Sequence, residues 1–215
     1  MKIFETYNFD LIQEICAKAK NDSQMSLIIG YPGAGKSVGL KYFKKFNKRV
    51  YYVCVRKSMT MKEFYIELLK NFDFEGDFKK MSLFDIINIL TYKIKITNKK
   101  NLLIIDEAGK FKPNQLEYIH EIRDLTKEIM GIVLSGPGYF LDNLIKWKEK
   151  NITGIPEVYR RIEHFETLKK PTIREIRAIS YGYKIMDTEV INKEFRNIES
   201  FSDLTIRINN YLAGD

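Results

Sequence analysis

Apolar positions along the chain recur with two periods, one of helices and one of buried strands, and the two alternate. Residues 9–19 place Leu11, Ile12, Ile15, Cys16 and Ala19 at helical spacing, and Asn21-Asp22-Ser23 ends the pattern. Met25–Ile29 is a short continuous apolar run, which predicts a buried strand leading straight into a glycine-rich segment. Beyond it, Lys36–Phe46 reads as a helix, 50–55 as a strand, 60–72 as a helix and 82–96 as an amphipathic helix opening at Ser82. Branched apolar residues fill 102–105, as in a strand covered on both faces. Pro113 suits the first turn of a helix to about residue 127, 131–134 begins a strand, 137–150 is helical, and 164–165 marks a short last strand.

Strands alternating with helices of this length predict an α/β fold, a parallel sheet flanked by helices. After Pro171 the strand signals stop, and helical patterns occupy 172–180, 189–198 and 202–212. The expected division is a core over 1–169 and a small helical lid over 170–215. Apolar residues make up 45% and charged residues 30% of the 215, a globular balance that excludes a disordered chain. No segment reaches the roughly 20 apolar residues of a membrane span, and the first ten residues lack a signal-peptide core. A cytoplasmic protein with no membrane partner is therefore expected. Cys16 and Cys54 lie far apart within apolar patterns, which predicts two buried free thiols. His120 and His164 have no second ligand at metal spacing. A net charge of +8 biases partners toward polyanions without choosing among ATP, nucleic acid and acidic protein.

Residues 30–37 read GYPGAGKS, and Gly30, Gly35, Lys36 and Ser37 meet the phosphate-loop pattern. Glycines let backbone amides curl around phosphate oxygens, Lys36 neutralises β/γ charge, the Ser37 hydroxyl can ligate Mg²⁺, and the helix starting at Lys36 adds its positive end. A second element, LLIIDE at 102–107, delivers two carboxylates at the C-terminal end of a strand, where α/β sheets bind ligands. Asp106 would serve the Mg²⁺ shell and Glu107 would polarise an attacking water. Taken alone, the Asp-Glu pair reads more readily as a cap for the next helix; beside the phosphate loop it predicts hydrolysis of ATP.

The phosphate loop, the extra strand before LLIIDE, the strand GIVLSG at 131–136, the pair Arg160-Arg161 and the helical tail together resemble the AAA+ ATPases. Within them, EIRAISYGYKIMD at 175–187 is similar to the target-selecting transposition ATPases of the phage Mu B type. That resemblance implies a nucleotide-contacting set of Gly30, Pro32, Gly33, Ala34, Gly35, Lys36, Ser37, Val38, Asp106 and Ser135, with ATP and Mg²⁺ as cofactors and Ser37 and Asp106 on the metal. It further implies a homo-oligomer, ring or helical filament, on duplex DNA, which recruits or activates a transposase. Arg160 or Arg161, with Arg161 aligning better because Ile162 follows it, would reach a neighbour's γ-phosphate; a solvated basic face is the alternative.

Two departures from the family pattern point to slow or partner-dependent hydrolysis. Pro137 stands where a polar sensor is usual, leaving Ser135 as the nearest hydroxyl, and Thr205 stands where a lid arginine is usual, with Arg207 two residues on. DNA contacts are expected from the ATPase core itself: Arg56 and Lys57 after the second strand, Lys110 and Lys112 after the carboxylate pair. The basic stretch at 92–100, with Tyr92 among its lysines, reads as a helix end whose cations complement its dipole, with a nucleic-acid patch as the alternative. Three further readings stay open: a helicase loader or replication initiator, a nucleotide-switched scaffold with little hydrolysis, and a small-molecule kinase.

Overall fold

The computed structural model describes residues 2–72, 74, 76–78, 80–195 and 197–214. Helix α1 (Tyr7–Asp22) starts at Thr6, whose hydroxyl accepts from the Phe9 amide, and ends at Ser23 in the left-handed region. Then follow β1 (Met25–Ile29), α2 (Lys36–Phe46), β2 (Val50–Cys54), α3 (Met61–Leu69), α4 (Leu83–Ile96) and β3 (Asn101–Asp106). A 3-10 turn (Ala108–Lys110) leads to α5 (Pro113–Thr126), β4 (Met130–Gly136), α6 (Gly138–Glu149), α7 (Ile155–Arg161) and β5 (Ile162–Thr167). Helices α8 (Ile173–Gly182), α9 (Thr188–Glu194) and α10 (Phe201–Ala213) close the chain.

The strands form one parallel sheet in the order β2-β3-β4-β1-β5. Alternate residues feed two apolar layers. Leu103, Ile105, Ile132 and Leu134 face a core built with α3 to α7. Leu102, Ile104, Val133 and Ile28 face α1 and α2. The α1 side is close-packed: a Cβ on Gly131 would lie 1.9 Å from the Ala19 carbonyl oxygen. The last three helices enclose a separate cluster of Ile176, Ile179, Ile185, Ile191, Phe195, Ile198, Leu204 and Ile208, against which Phe4 of the amino-terminal segment packs.

The elements match the periodicity closely, with two informative differences. Helix α7 had no pattern of its own, because seven residues opened by Gly154 at φ 79°, with Pro156 in the first turn, are too short to show helical spacing. Strand β5 is longer than 164–165 because it is an edge strand whose alternate residues are exposed, so half of it reads as polar. One expectation fails: Cys16 is buried, but Cys54, the last residue of edge strand β2, is exposed. Among the described residues no helix is long and apolar enough to cross a membrane.

Candidate active site

The carboxyl ends of β1, β3 and β4 deliver the phosphate loop, the Asp106-Glu107 pair and Ser135 to one edge of the sheet. Gly33 and Gly35 adopt φ of 81° and 88°, a turn that L side chains resist, and Gly35 caps α2. At Gly33 the space is also taken: a Cβ would lie 2.7 Å from the Ser200 hydroxyl, and the Ser202 amide donates to the Gly33 carbonyl at 3.3 Å. The phosphate loop therefore sits directly under the start of α10. Lys36 is buried, and its Nζ donates to the carbonyls of Gly30 at 2.6 Å and Tyr31 at 3.0 Å. Burial lowers its pKa, while the nearby Asp106 and Glu107 act in the opposite direction.

Asp106 is fully buried at the end of β3, which lies between β2 and β4. Its side chain projects to the α2 side, as do Leu102 and Ile104 four and two residues earlier. Three hydroxyls from that same side converge on it. Ser37 donates to Oδ2 at 2.6 Å, Tyr52 donates to Oδ2 at 2.7 Å and Ser135 donates to Oδ1 at 3.0 Å, which also accepts the Glu107 amide at 3.0 Å. Tyr52 reaches it because it pairs across the sheet with Ile104 and so stands diagonal to Asp106. Burial, then the bond to Asp106, pushes the Tyr52 phenol well above its usual range, so it stays a donor.

Glu107 follows with φ 59°, an uncommon conformation for a residue other than glycine, and its Oε2 pairs with Lys110 Nζ at 3.2 Å. Beside Gly33 and Gly35 opens a mainly apolar cleft of about 350 Å³, walled by Phe4, Val38, Tyr183, Phe201 and Ile206 with Thr205 at its edge. Asn8, also buried, ties the floor together: Nδ2 donates to the Ala34 and Lys169 carbonyls at 3.2 and 2.8 Å, and Oδ1 accepts the Lys169 amide at 2.9 Å. Pro32 faces a second, polar cleft with Asp203 and Arg207.

The structure thus assembles Gly30, Gly33, Ala34, Gly35, Lys36, Ser37, Val38, Asp106, Glu107 and Ser135 in one place. It does not bring Arg160 and Arg161 there. Both end α7 just before β5 begins, at the opposite end of the sheet from the phosphate loop. Arg161 makes a two-pronged pair with Asp124, 2.9 Å from Nε and 3.0 Å from Nη2, whereas Arg160 is exposed. Arg207 pairs with Asp203 at 3.3 Å away from the apolar cleft, and Thr205 donates to its own helix at Phe201 O. Arg56, Lys57 and Lys112 are exposed near the carboxyl edge, while Lys110 is engaged by Glu107. Sequence reading missed Tyr52, Asn8 and the apolar wall, since pairing across strands and between distant segments leaves no local motif.

Residues 19–144 match the family model described as AAA domain. The chain belongs to this AAA domain family of ATPases. No match is found among curated proteins. Among solved structures, this AAA domain is similar to the Aeropyrum pernix ORC2 protein in its ADPNP-ADP complexes, with a TM-score of 0.70 and 14% identity over 95% of this chain and 60% of that one. It is also similar to the Aeropyrum pernix ORC1 protein in complex with DNA, with a TM-score of 0.66 and 16% identity over 96% of this chain and 59% of that one. A Walker-type ATPase of Pyrococcus abyssi aligns with a TM-score of 0.66 and 15% identity over 99% of this chain and 69% of that one. At these identities the likeness is one of fold, and the AAA domain spans 60% of the length of the ORC2 protein.

Proposed function

We propose that this AAA domain is an ATP-dependent DNA-binding ATPase that works as an assembly on duplex DNA, with the Ser37–Asp106 contact at 2.6 Å carrying its ATPase part. Hard oxygen donors from the phosphate-loop helix and from the end of β3 meet there, which fits Mg²⁺. Among the described residues no cluster of three or more His, Cys, Asp or Glu side chains stands ready to hold a metal. That too fits Mg²⁺, which keeps waters and takes substrate phosphates rather than a protein cage. When bound, Mg²⁺ neutralises charge on the β- and γ-phosphates. Lys36 adds positive charge there, the loop amides cradle the phosphates, and the apolar cleft takes the base between Val38 and Tyr183. Ser135 and Tyr52 hold Asp106 in place. Glu107 polarises the attacking water once its carboxylate turns from Lys110.

The missing arginine comes from a neighbouring copy. Arg160 is the better supplier, because Arg161 is committed to Asp124. A 1–169 core and a 170–215 lid remain our division of the chain, the lid closing on the loop through Ser200 and Ser202. Arg56 and Lys57 are proposed to meet DNA phosphates, with Lys110 and Lys112 secondary. For the partner, two readings have support. The ORC1 protein that this fold resembles was solved with DNA, which favours an initiator or loader role. The segment 175–187 favours target selection with a transposase.

Duplex-DNA binding by the purified protein, measured with ATP, without nucleotide and with Lys36→Ala at two salt concentrations, tests this reading. Binding that requires ATP and Lys36 and weakens with salt is expected, with rings or filaments in electron micrographs. Nucleotide binding with no DNA association would overturn it.

A further inference from the structure

Charge is distributed very unevenly over the molecule. The last turns of α1, α2, α4 and α5, with the loops that carry them into β1, β2, β3 and β4, lie along the amino edge of the sheet, opposite the phosphate loop. These short segments hold eleven Lys and Arg against Asp22, Asp124 and Glu128, a net of +8 that equals the charge of the whole chain. The rest of the molecule is neutral in sum.

Hydrogen bonds lock these cations beside one another. Lys20 Nζ donates to the Lys48 carbonyl at 2.7 Å, Arg49 Nε to the Lys100 carbonyl at 3.3 Å, and Lys100 Nζ to Ser23 Oγ and the Glu128 carbonyl at 2.9 and 3.0 Å. Among the described residues, none of Lys20, Lys48, Arg49, Lys99 and Lys100 is paired with a carboxylate. Asp124 is already taken by Arg161. Arg49 is also held at φ 56°. Complementing helix dipoles, worth about 0.3–1 kcal/mol for a cation in a last turn, accounts for Lys44, Lys45, Lys93 and Lys95. It does not account for Lys48, Arg49, Lys99 and Lys100, which lie beyond the helices and repel one another. An external polyanion would relieve that repulsion.

We propose that this amino edge is a second face for the phosphate backbone of duplex DNA, at the far end of the molecule from the nucleotide. It rests on the reading that the protein binds DNA. Arg49 and Arg56 flank β2 and so stand about 20 Å apart, which separates this face from Arg56 and Lys57. Four neighbouring strands span about 14 Å, a length over which a duplex carries about eight phosphates over its two strands. An anionic bilayer is the competitor, since Phe46 and Ile96 in the same last turns are 62% and 57% exposed. They belong to helices on opposite sides of the sheet and form no single apolar patch.

The test compares the full chain with K48Q/K95Q/K99Q and with R174Q/K184Q/K193Q, which removes three charges from α8, α9 and the turn between them. Duplex-DNA affinity is titrated against salt, vesicles of phosphatidylserine and phosphatidylcholine are assayed by sedimentation, and fluorescent-ATP binding checks the fold. The edge variant is expected to lose about tenfold or more in DNA affinity and about two to three units of salt slope, with ATP binding intact and the helix variant close to wild type. Wild-type affinity and slope in the edge variant, while the unmodified chain binds DNA, overturn this face and leave the DNA reading standing. A chain that binds ATP but not DNA ends both. Binding to vesicles but not to DNA would overturn the proposal in favour of a membrane.

Discussion

Asp106 shows how much one buried carboxylate demands of its neighbours. A charge with no exposure survives only if its oxygens are filled with donors, and here Ser37, Tyr52, Ser135 and the Glu107 amide fill them. Tyr52 is the one member that no nucleotide motif includes. Removing its hydroxyl with Tyr52→Phe is expected to cost about 1 kcal/mol of stability and to raise the Mg²⁺ concentration needed for tight ATP binding several-fold. Titrating fluorescent-ATP binding against Mg²⁺ reads the second effect; an unchanged Mg²⁺ midpoint would show Tyr52 to be packing alone. At Glu107, the Lys110 contact engages the carboxylate that we propose polarises the attacking water. Lys110→Ala is therefore expected to raise basal hydrolysis about two- to fivefold, since an exposed ion pair is worth under about 1 kcal/mol; a steady-state phosphate-release assay checks it.

Element by element, the chain announces itself through its ends. Thr60 and Glu63, Ser82 and Asp85, and Thr172 and Glu175 form reciprocal caps at the starts of α3, α4 and α8. Thr60→Ala is expected to lower stability by about 1 kcal/mol, seen as a lower denaturant midpoint with no change in ATP affinity. Gly131→Ala should do more, because its Cβ would collide with the Ala19 backbone where α1 rests on β4. Backbone cannot step aside as a side chain can, and a loss of about 2 kcal/mol or more is expected, measured by the same unfolding curve. Such caps and apolar runs are why β1, α2 and β3 are legible almost residue by residue. Helix α7 and the full length of β5 are not, since a seven-residue helix and a half-exposed edge strand write too few apolar positions into the sequence.

For the whole molecule, the arginine pair sets the terms. Within one chain, Arg160 and Arg161 lie at the wrong end of the sheet to meet the phosphates, so hydrolysis through them requires a second copy. Arg160→Ala is expected to cut hydrolysis by about 100-fold or more while ATP still binds, whereas Arg161→Ala should act mainly through loss of the Asp124 contact. Mixing Arg160→Ala with Glu107→Gln subunits should restore part of the activity, because some interfaces then combine an intact arginine with an intact carboxylate; no recovery would count against a shared site.

Apart from α7, sequence alone determined the strand and helix order, the phosphate loop and the Asp106-Glu107 pair, because backbone periodicity and phosphate binding are local demands met by residues near one another in the chain. The tertiary structure decided which hydroxyls surround Asp106, that Lys110 engages Glu107, that Arg160 rather than Arg161 is exposed, that Cys54 faces solvent, and that cations from four separate helix ends share one edge. Each of these depends on which strands lie side by side and which helices end together, and that order, β2-β3-β4-β1-β5, joins positions as far apart as Tyr52 and Asp106 or Lys20 and Lys48.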